Sequence, residues 1–381
     1  MRSGNLNFTL PLLRAQGRGG SGIGVSLTYN SQNWRQDGTN VWKHGYDAGY
    51  GFGWRALICS VFPVYQDAST VHHFVFTDAT GAEYKLDTTA VAGVWTGKEN
   101  YVTYDANNVT VRFNDGTSIQ MGTVSADTEP DAGTRYGTVW KDTNGNYVEI
   151  FYQPGYSAPA GHTSARIDGI KEVRGGTSFA YNFTYDGVWP RPHLTGITNI
   201  LGTGENYTFN YTTLALDDPF GDTASYGTVK LLSSVVVNTL NTQHSFEYGT
   251  NSAGELTKVI FPQGGELRWS YRDFTYQSSK KQREMASRSL VLTSGATALN
   301  YTLTRDDAGD AGRSIHRYTR VLDPSGVGEK KFWFETSTSS LYFGLATTTE
   351  GIHTPSSTVL ARDALTWTTD GVGRPYVSSS P

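Results

Sequence analysis

The sequence predicts an all-β protein: a repetitive, mainly antiparallel array of β-hairpins. Three observations carry this. The composition is rich in Gly (43), Tyr (23) and Thr, with only 17% charged residues; aromatic and β-branched residues suit a pleated, half-buried surface, and Gly, Asn and Asp suit its turns. Apolar residues alternate with period two almost everywhere. Helical spacing is confined to residues 278–292, SSKKQREMASRSLVL, which reads as a helix or as an exposed loop entering a strand. Finally, one hairpin pattern recurs down the chain.

Taken in order, LNFTLPLL (6–13) and GVSLTYN (24–30) read as strands joined by the flexible crossing RAQGRGGSG. HHFVFTDATGAEYKL (72–86) is a hairpin turning at Asp78 to Gly81. NVTVRFNDGTSIQM (108–121) turns at Asn114-Asp115-Gly116 and VWKDTNGNYVEIFY (139–152) at Asn144-Gly145, residues that take the positive φ of two-residue hairpin loops. Residues 167–185, 197–211, 231–248, 256–271 and 317–336 then share one grammar: an apolar strand, a Gly/Asn/Pro turn, and a strand with alternate aromatics.

The closing aromatics Tyr152, Tyr185, Tyr211, Tyr248 and Tyr271 follow one another at intervals of 33, 26, 37 and 23 residues, so the repeat is degenerate. They are the candidate site residues, with a structural role. A lone hairpin is marginal in water because it cannot bury its apolar face. In series, each covers its neighbour, and rings at i and i+2, such as Tyr207, Phe209 and Tyr211, line one face. Burial at ~25 cal/mol per Å2 offers several kcal/mol per hairpin before chain entropy is subtracted. Residues 1–60 are expected to be entry strands and 61–381 a continuous hairpin array. Sheet edges left bare at either end would invite self-association or further strands.

Composition also narrows function. A net charge of −4, from 31 basic and 35 acidic residues without long runs of one sign, gives no footprint for a phosphate backbone, so nucleic acid is not an expected partner. No window approaches 18 apolar residues, so no membrane span is expected, and MRSGNLNFTLPLL lacks the apolar core of a signal peptide. Cys59, the only cysteine, sits in ALICSVF and reads as a small buried hydrophobe.

Tyr185-Asp186 and the run Phe246-Glu247-Tyr248, Gly254 to Val259 and Phe261 to Gly265 resemble the YD repeat of the RHS protein family. LNFTLPLLRAQGRGGSGIGVSLTYNSQNW with GFGWRAL (51–57) is similar to the entry segment before such repeats. The likeness spans about 4–60 and 165–340; Gly249 stands where the paired Asp would be and Glu255 where an Arg would be. The resemblance implies that the array curls into a spiral or shell-like sheet, wall material of a hollow shell in a large secreted or surface bacterial protein. Its partners would be other segments of the same polypeptide or an encapsulated domain, and it would have no catalysis of its own.

Chemistry-bearing residues have local explanations. Asp323-Pro324-Ser325-Gly326-Val327 resembles the self-cleavage motif at the end of RHS shells, with Val327 in place of Leu, and reads as a turn; no protease role follows. Asp142 to Asn146 with Glu149, and Asp306, Asp307 and Asp310, have oxygen ligands at offsets like those of calcium loops, but the former lacks the twelve-residue spacing and the closing bidentate acid of one. His72 and His73 are expected on opposite faces of a strand, so no metal is expected. No nucleophile elbow, phosphate loop or dinucleotide fingerprint is present, so no cofactor is expected. Asp217-Asp218 is an acid pair expected in an exposed loop. Two alternatives to the wall remain: an adhesin or carbohydrate-binding protein using exposed Tyr and Trp, and a polysaccharide-active β enzyme whose carboxylates converge from distant strands. Most of the nine Trp sit in the alternating register and are expected in the core.

Overall fold

A computed structural model describes residues 4–16, 22–36, 42–97, 102–172, 180–221, 225–371, 373 and 375–379. The fold is all-β and mainly antiparallel, with a three-stranded entry sheet, a closed ring of strands and a long meander. In the entry sheet, Asn7–Gln16 pairs with Gly22–Asn30, which pairs with Trp54–Leu57.

The ring begins at Ser60–Tyr65 and runs through successive antiparallel neighbours to Tyr147–Pro154 and His162–Glu172. It closes through two short strands: Thr123–Ser125 lies parallel to the start of His162–Glu172, and Arg135–Tyr136 pairs with Ser60 and Val61. From His162–Glu172 the sheet continues as a meander through Tyr181–Tyr185 and onward to Thr358–Ala364. The entry segment also joins this large sheet, because Trp34–Gln36 pairs with Trp42–His44 and with Lys281 and Gln282.

The sequence expected neighbouring hairpins to cover each other's aromatic faces. Instead, the entry sheet covers them. Phe8 packs edge-on against Trp54, Phe246 and Trp269 with centroids 6.1, 6.4 and 6.0 Å away, and one apolar core runs from Leu6 to Trp269. Trp54 and Trp269 are buried in it, Trp34 is buried in a smaller cluster with Phe52, Leu216 and Leu231, and Trp189 is exposed. Cys59 is buried too, and burial pushes its thiol up to about 12.

Four local expectations are corrected. The turns after Phe113 and Asp142 are three-residue loops, with Phe113 N–H donating to Thr117 O and Asp142 N–H to Asn146 O, and only Gly116 and Gly145 take positive φ. This is a type I turn closed by a glycine bulge, a geometry that also fits the strand twist. Residues 281–291 form a strand, Lys281–Val291, because tertiary ion pairs absorb their charges. A bulge in the pairing of Ser60–Tyr65 with Val71–Thr77 skips His72 and turns its ring toward His73, with Nδ1 atoms 2.8 Å apart. Asp218 is buried rather than exposed, and accepts from Phe220 N–H at 2.7 Å.

Candidate functional site: the tyrosine seam

The five closing tyrosines share one irregularity. Each follows a register shift at which the next strand carries one extra residue. Tyr152 faces Ile167, Tyr185 faces Leu194, Tyr211 faces Leu232, Tyr248 faces Leu256 and Tyr271 faces Met285; the skipped residues are Asp168, Thr195, Ser233, Thr257 and Ala286. A bulge interrupts the ladder and frees backbone groups that must find other partners.

The freed carbonyls go to the next tyrosine. Tyr185 Oη donates to Ile167 O at 2.7 Å, Tyr248 Oη to Leu232 O at 2.8 Å, and Tyr271 Oη to Leu256 O at 2.7 Å. In each case the acceptor is the residue facing the preceding tyrosine, so every hydroxyl ties its unit to the one before. Tyr152 reaches Gly137 O in the ring at 3.0 Å. At the far end Trp367 Nε1 does the same, donating at 2.7 Å to Ala346 O, the residue facing Phe334. Burial pushes the phenols of Tyr152, Tyr185, Tyr211, Tyr248 and Tyr271 well up, so each stays protonated.

The freed amides go to the entry segment. Ile167 N–H donates to Tyr50 Oη at 2.9 Å, Leu194 N–H to Gly49 O at 2.9 Å, Leu256 N–H to Tyr29 Oη at 3.0 Å, and Met285 N–H to Gly4 O at 2.8 Å. Around Leu232, Phe52 N–H donates to Lys230 O at 2.8 Å, and a Cβ added to Gly51 would lie only 2.9 Å from Leu232 N, so the loop comes this close because the residue is glycine. Trp54 Nε1 adds a bond to Tyr248 Oη at 2.8 Å. Five consecutive bulges are thus covered by residues 4 to 54.

Asp47 shapes the entry loop. Its Oδ1 accepts from Gly49 N–H and Gly51 N–H at 2.9 and 3.1 Å, and its Oδ2 lies 2.7 Å from His193 Nε2. Asp186, the acid of the Tyr-Asp pair, accepts from Val188 N–H, His193 N–H and Lys230 Nζ. Burial pushes its carboxyl up, but those hydrogen bonds outweigh it and hold it below the ordinary range. Glu255 is buried, and its charge is met by Arg283 with contacts of 2.6 and 2.7 Å.

The acid clusters are spent locally. Asp142 caps its own turn through Asn144 and Asn146, Asp323 does so through Ser325, Asp306 caps a four-residue helix, and Asp310 is buried against His316 and Arg313. Sequence reasoning singled out the tyrosines but missed their partners. The available signals were the alternating Gly49, Gly51 and Gly53, all at positive φ, and the recurrent Leu-Thr or Leu-Ser at 194, 232 and 256.

Tyr211 is the exception: among the described residues its buried hydroxyl has no hydrogen-bond partner, and its ring centroid lies 5.3 Å from that of His193. This gives a sharp contrast. Tyr248→Phe, which orphans Leu232 O and Trp54 Nε1, should cost about 1–3 kcal/mol. Tyr211→Phe removes a hydroxyl that contributes nothing and should be neutral or slightly stabilising. Urea unfolding of the two variants checks it; equal losses would remove the hydroxyl bond from the account.

No protein-family model matches the chain, and no curated protein does. Among solved structures, it is similar to a chain of the Tc holotoxin pore of Photorhabdus luminescens with a TccC3-D651A mutation, at 11% identity and a TM-score of 0.34, covering 83% of this chain and 15% of that one. It is similar to a TcdB2-TccC3-TEV structure at 10% identity and 0.31, covering 97% and 22%. It is also similar to the N-terminal domain of the effector SpvB from Salmonella typhimurium strain LT2 at 14% identity and 0.25, covering 77% and 99%. All three scores lie below 0.5.

Proposed function

We propose that this chain is a structural wall segment of a large secreted or surface bacterial RHS-like protein, encapsulating or presenting another domain and catalysing nothing itself. One observation carries the reading: the polar groups freed at successive bulges are spent on joining each unit to the previous one and to the entry segment. A sheet built this way extends unit by unit, which suits a surface and not a pocket. The carboxylates weighed for catalysis are tied into turns and ion pairs. At Thr358–Ala364 all seven residues are exposed on the last strand of the large sheet, a template for a further strand. No helix among the described residues is long and apolar enough to cross a membrane.

The test is to express the complete reading frame of the gene and digest it with a nonspecific protease. The wall reading expects an adjoining domain to be cut far more slowly than the same domain alone. A reading frame that adds no further domain, or an added domain cut at the same rate in both settings, overturns it.

A further inference from the structure

Where the turn after Pro154 meets the loop after Asp186, two large aromatic side chains face water side by side. Trp189 is 49% exposed and Tyr156 43%, with ring centroids 5.6 Å apart and planes inclined at 37°. Such rings are usually buried, and here hydrogen bonds fix the backbone that carries them. Tyr156 N–H donates to Glu129 Oε1 at 2.9 Å, and Thr128 Oγ1 donates to Tyr156 O at 2.6 Å. Glu129 forms a two-pronged ion pair with Arg166 at 2.8 and 3.0 Å, with both side chains almost completely buried. The same guanidinium lies 5.9 Å from the Trp189 ring. On the other side, Asp186 fixes the loop through Val188 N–H and His193 N–H.

A buried ion pair adds little net stability over an apolar core of the same shape. This one sits beneath two exposed rings and fixes the backbone of one of them, so what it provides is preorganisation. We infer that Tyr156 and Trp189 form a platform that binds a pyranose ring of a glycan. The C–H groups on one face of a pyranose make a small apolar patch bordered by hydroxyls, and two inclined aromatic faces bordered by turn peptide groups match it in size and polarity. A protein partner fits poorly. Beyond the two rings the large exposed apolar side chain here is Val188, and a stable protein interface needs about 800 Å2 on each side. Arg191, exposed two residues after Trp189, gives an acidic sugar a cation to approach.

The test uses the full chain on an array of neutral and uronic-acid or sialic-acid glycans, followed by titration of any that are retained. Trp189→Ala and Tyr156→Ala are each expected to weaken binding at least about tenfold while leaving the thermal unfolding midpoint within a few degrees, since both rings are exposed. Trp333→Ala, at a distant site, should leave binding unchanged. Loss of the acidic glycans alone on Arg191→Ala would assign the platform to acidic sugars, and no effect of that variant would assign it to neutral ones. Retention of no glycan, retention unaffected by either platform variant, or binding only to apolar peptides overturns the inference. None of these outcomes bears on the wall reading.

Discussion

Gly49→Ala is expected to leave little folded protein. Gly49 has φ +101°, a backbone conformation that side chains rarely adopt, and an added Cβ would lie 2.6 Å from Pro192 O and 2.9 Å from Arg166 Cδ. Neither the carbonyl nor the buried arginine, held by Glu129, can yield freely. The loop would have to lift away, taking Gly49 O from Leu194 N–H and drawing Asp47 from His193. The sum of strain, clash and orphaned polar groups should exceed about 4 kcal/mol. Gly202→Ala is the control. Gly202 has φ +85° but nothing within 4 Å of the added atom, so conformational strain alone should cost about 1–2 kcal/mol. Denaturant unfolding of the pair separates strain from close approach; similar losses in both would mean that the entry loop does not constrain the array there.

His316→Ala should be nearly as damaging and should also change how stability depends on pH. His316 is fully buried between two carboxylates, with Nδ1 2.7 Å from Asp310 Oδ2 and Nε2 2.7 Å from Glu284 Oε1. Only an imidazolium can donate to both. Around them, Tyr276 Oη donates to Glu284 at 2.6 Å, Arg305 and Arg272 approach the same carboxylate at 3.6 and 3.4 Å, and Arg313 meets Asp310 at 2.9 Å. Arg272 also holds Asp307. Burial acts to lower the pKa of His316, but the two carboxylates outweigh it and raise it above the ordinary 6.5. For Glu284, burial raises and the bonds from His316 and its neighbours lower, with a net depression below 4.5.

The signs follow by linkage. The His316 contribution is complete below about pH 6.5 and is lost as pH rises through the elevated folded value. The Glu284 contribution is complete above about 4.5 and is lost as pH falls through the depressed one. Stability should therefore be greatest between those limits and decline on the alkaline side. Removing His316 takes from two buried carboxylates the donor they share, at about 3–5 kcal/mol, and abolishes the alkaline decline. Urea unfolding at pH 5.5 and 8.5 for both proteins checks this; a wild-type stability that does not fall between the two would sink the imidazolium assignment.

What could be seen in the sequence was what nearest neighbours decide. Strand alternation and glycine turns at Gly81, Gly116 and Gly145 depend on a few adjacent residues, and they placed the hairpins. The tyrosines stood out because each closes a run of alternating apolar and aromatic residues, although only Tyr185 and Tyr248 end their strands. Their acceptors lie 15 to 18 residues back, at Gly137, Ile167, Leu232 and Leu256, and the bulges that expose those acceptors leave only a faint trace in the apolar pattern. The cover supplied by the entry segment was invisible for a stronger reason: Tyr50 meets Ala165 and Tyr29 meets Gly254 across separations of 115 and 225 residues, and no local pattern encodes such a pairing. Lys281–Val291 misled because its charged residues looked solvated. Arg283 is matched by Glu255 and Asp273, and Glu284 by the cluster around His316.

The order in which the entry segment meets the bulges has a consequence for how the protein is made. Residues 4 to 54 leave the ribosome before the hairpins they cover, and they hold the acceptors that those hairpins require. Each new hairpin therefore emerges beside a docking place that already exists, and maturation proceeds from the amino terminus like a zipper whose first side is laid down in advance. A chain cut short late in translation keeps its early hairpins docked, whereas one that loses its first fifty residues has nothing for any of them to close upon.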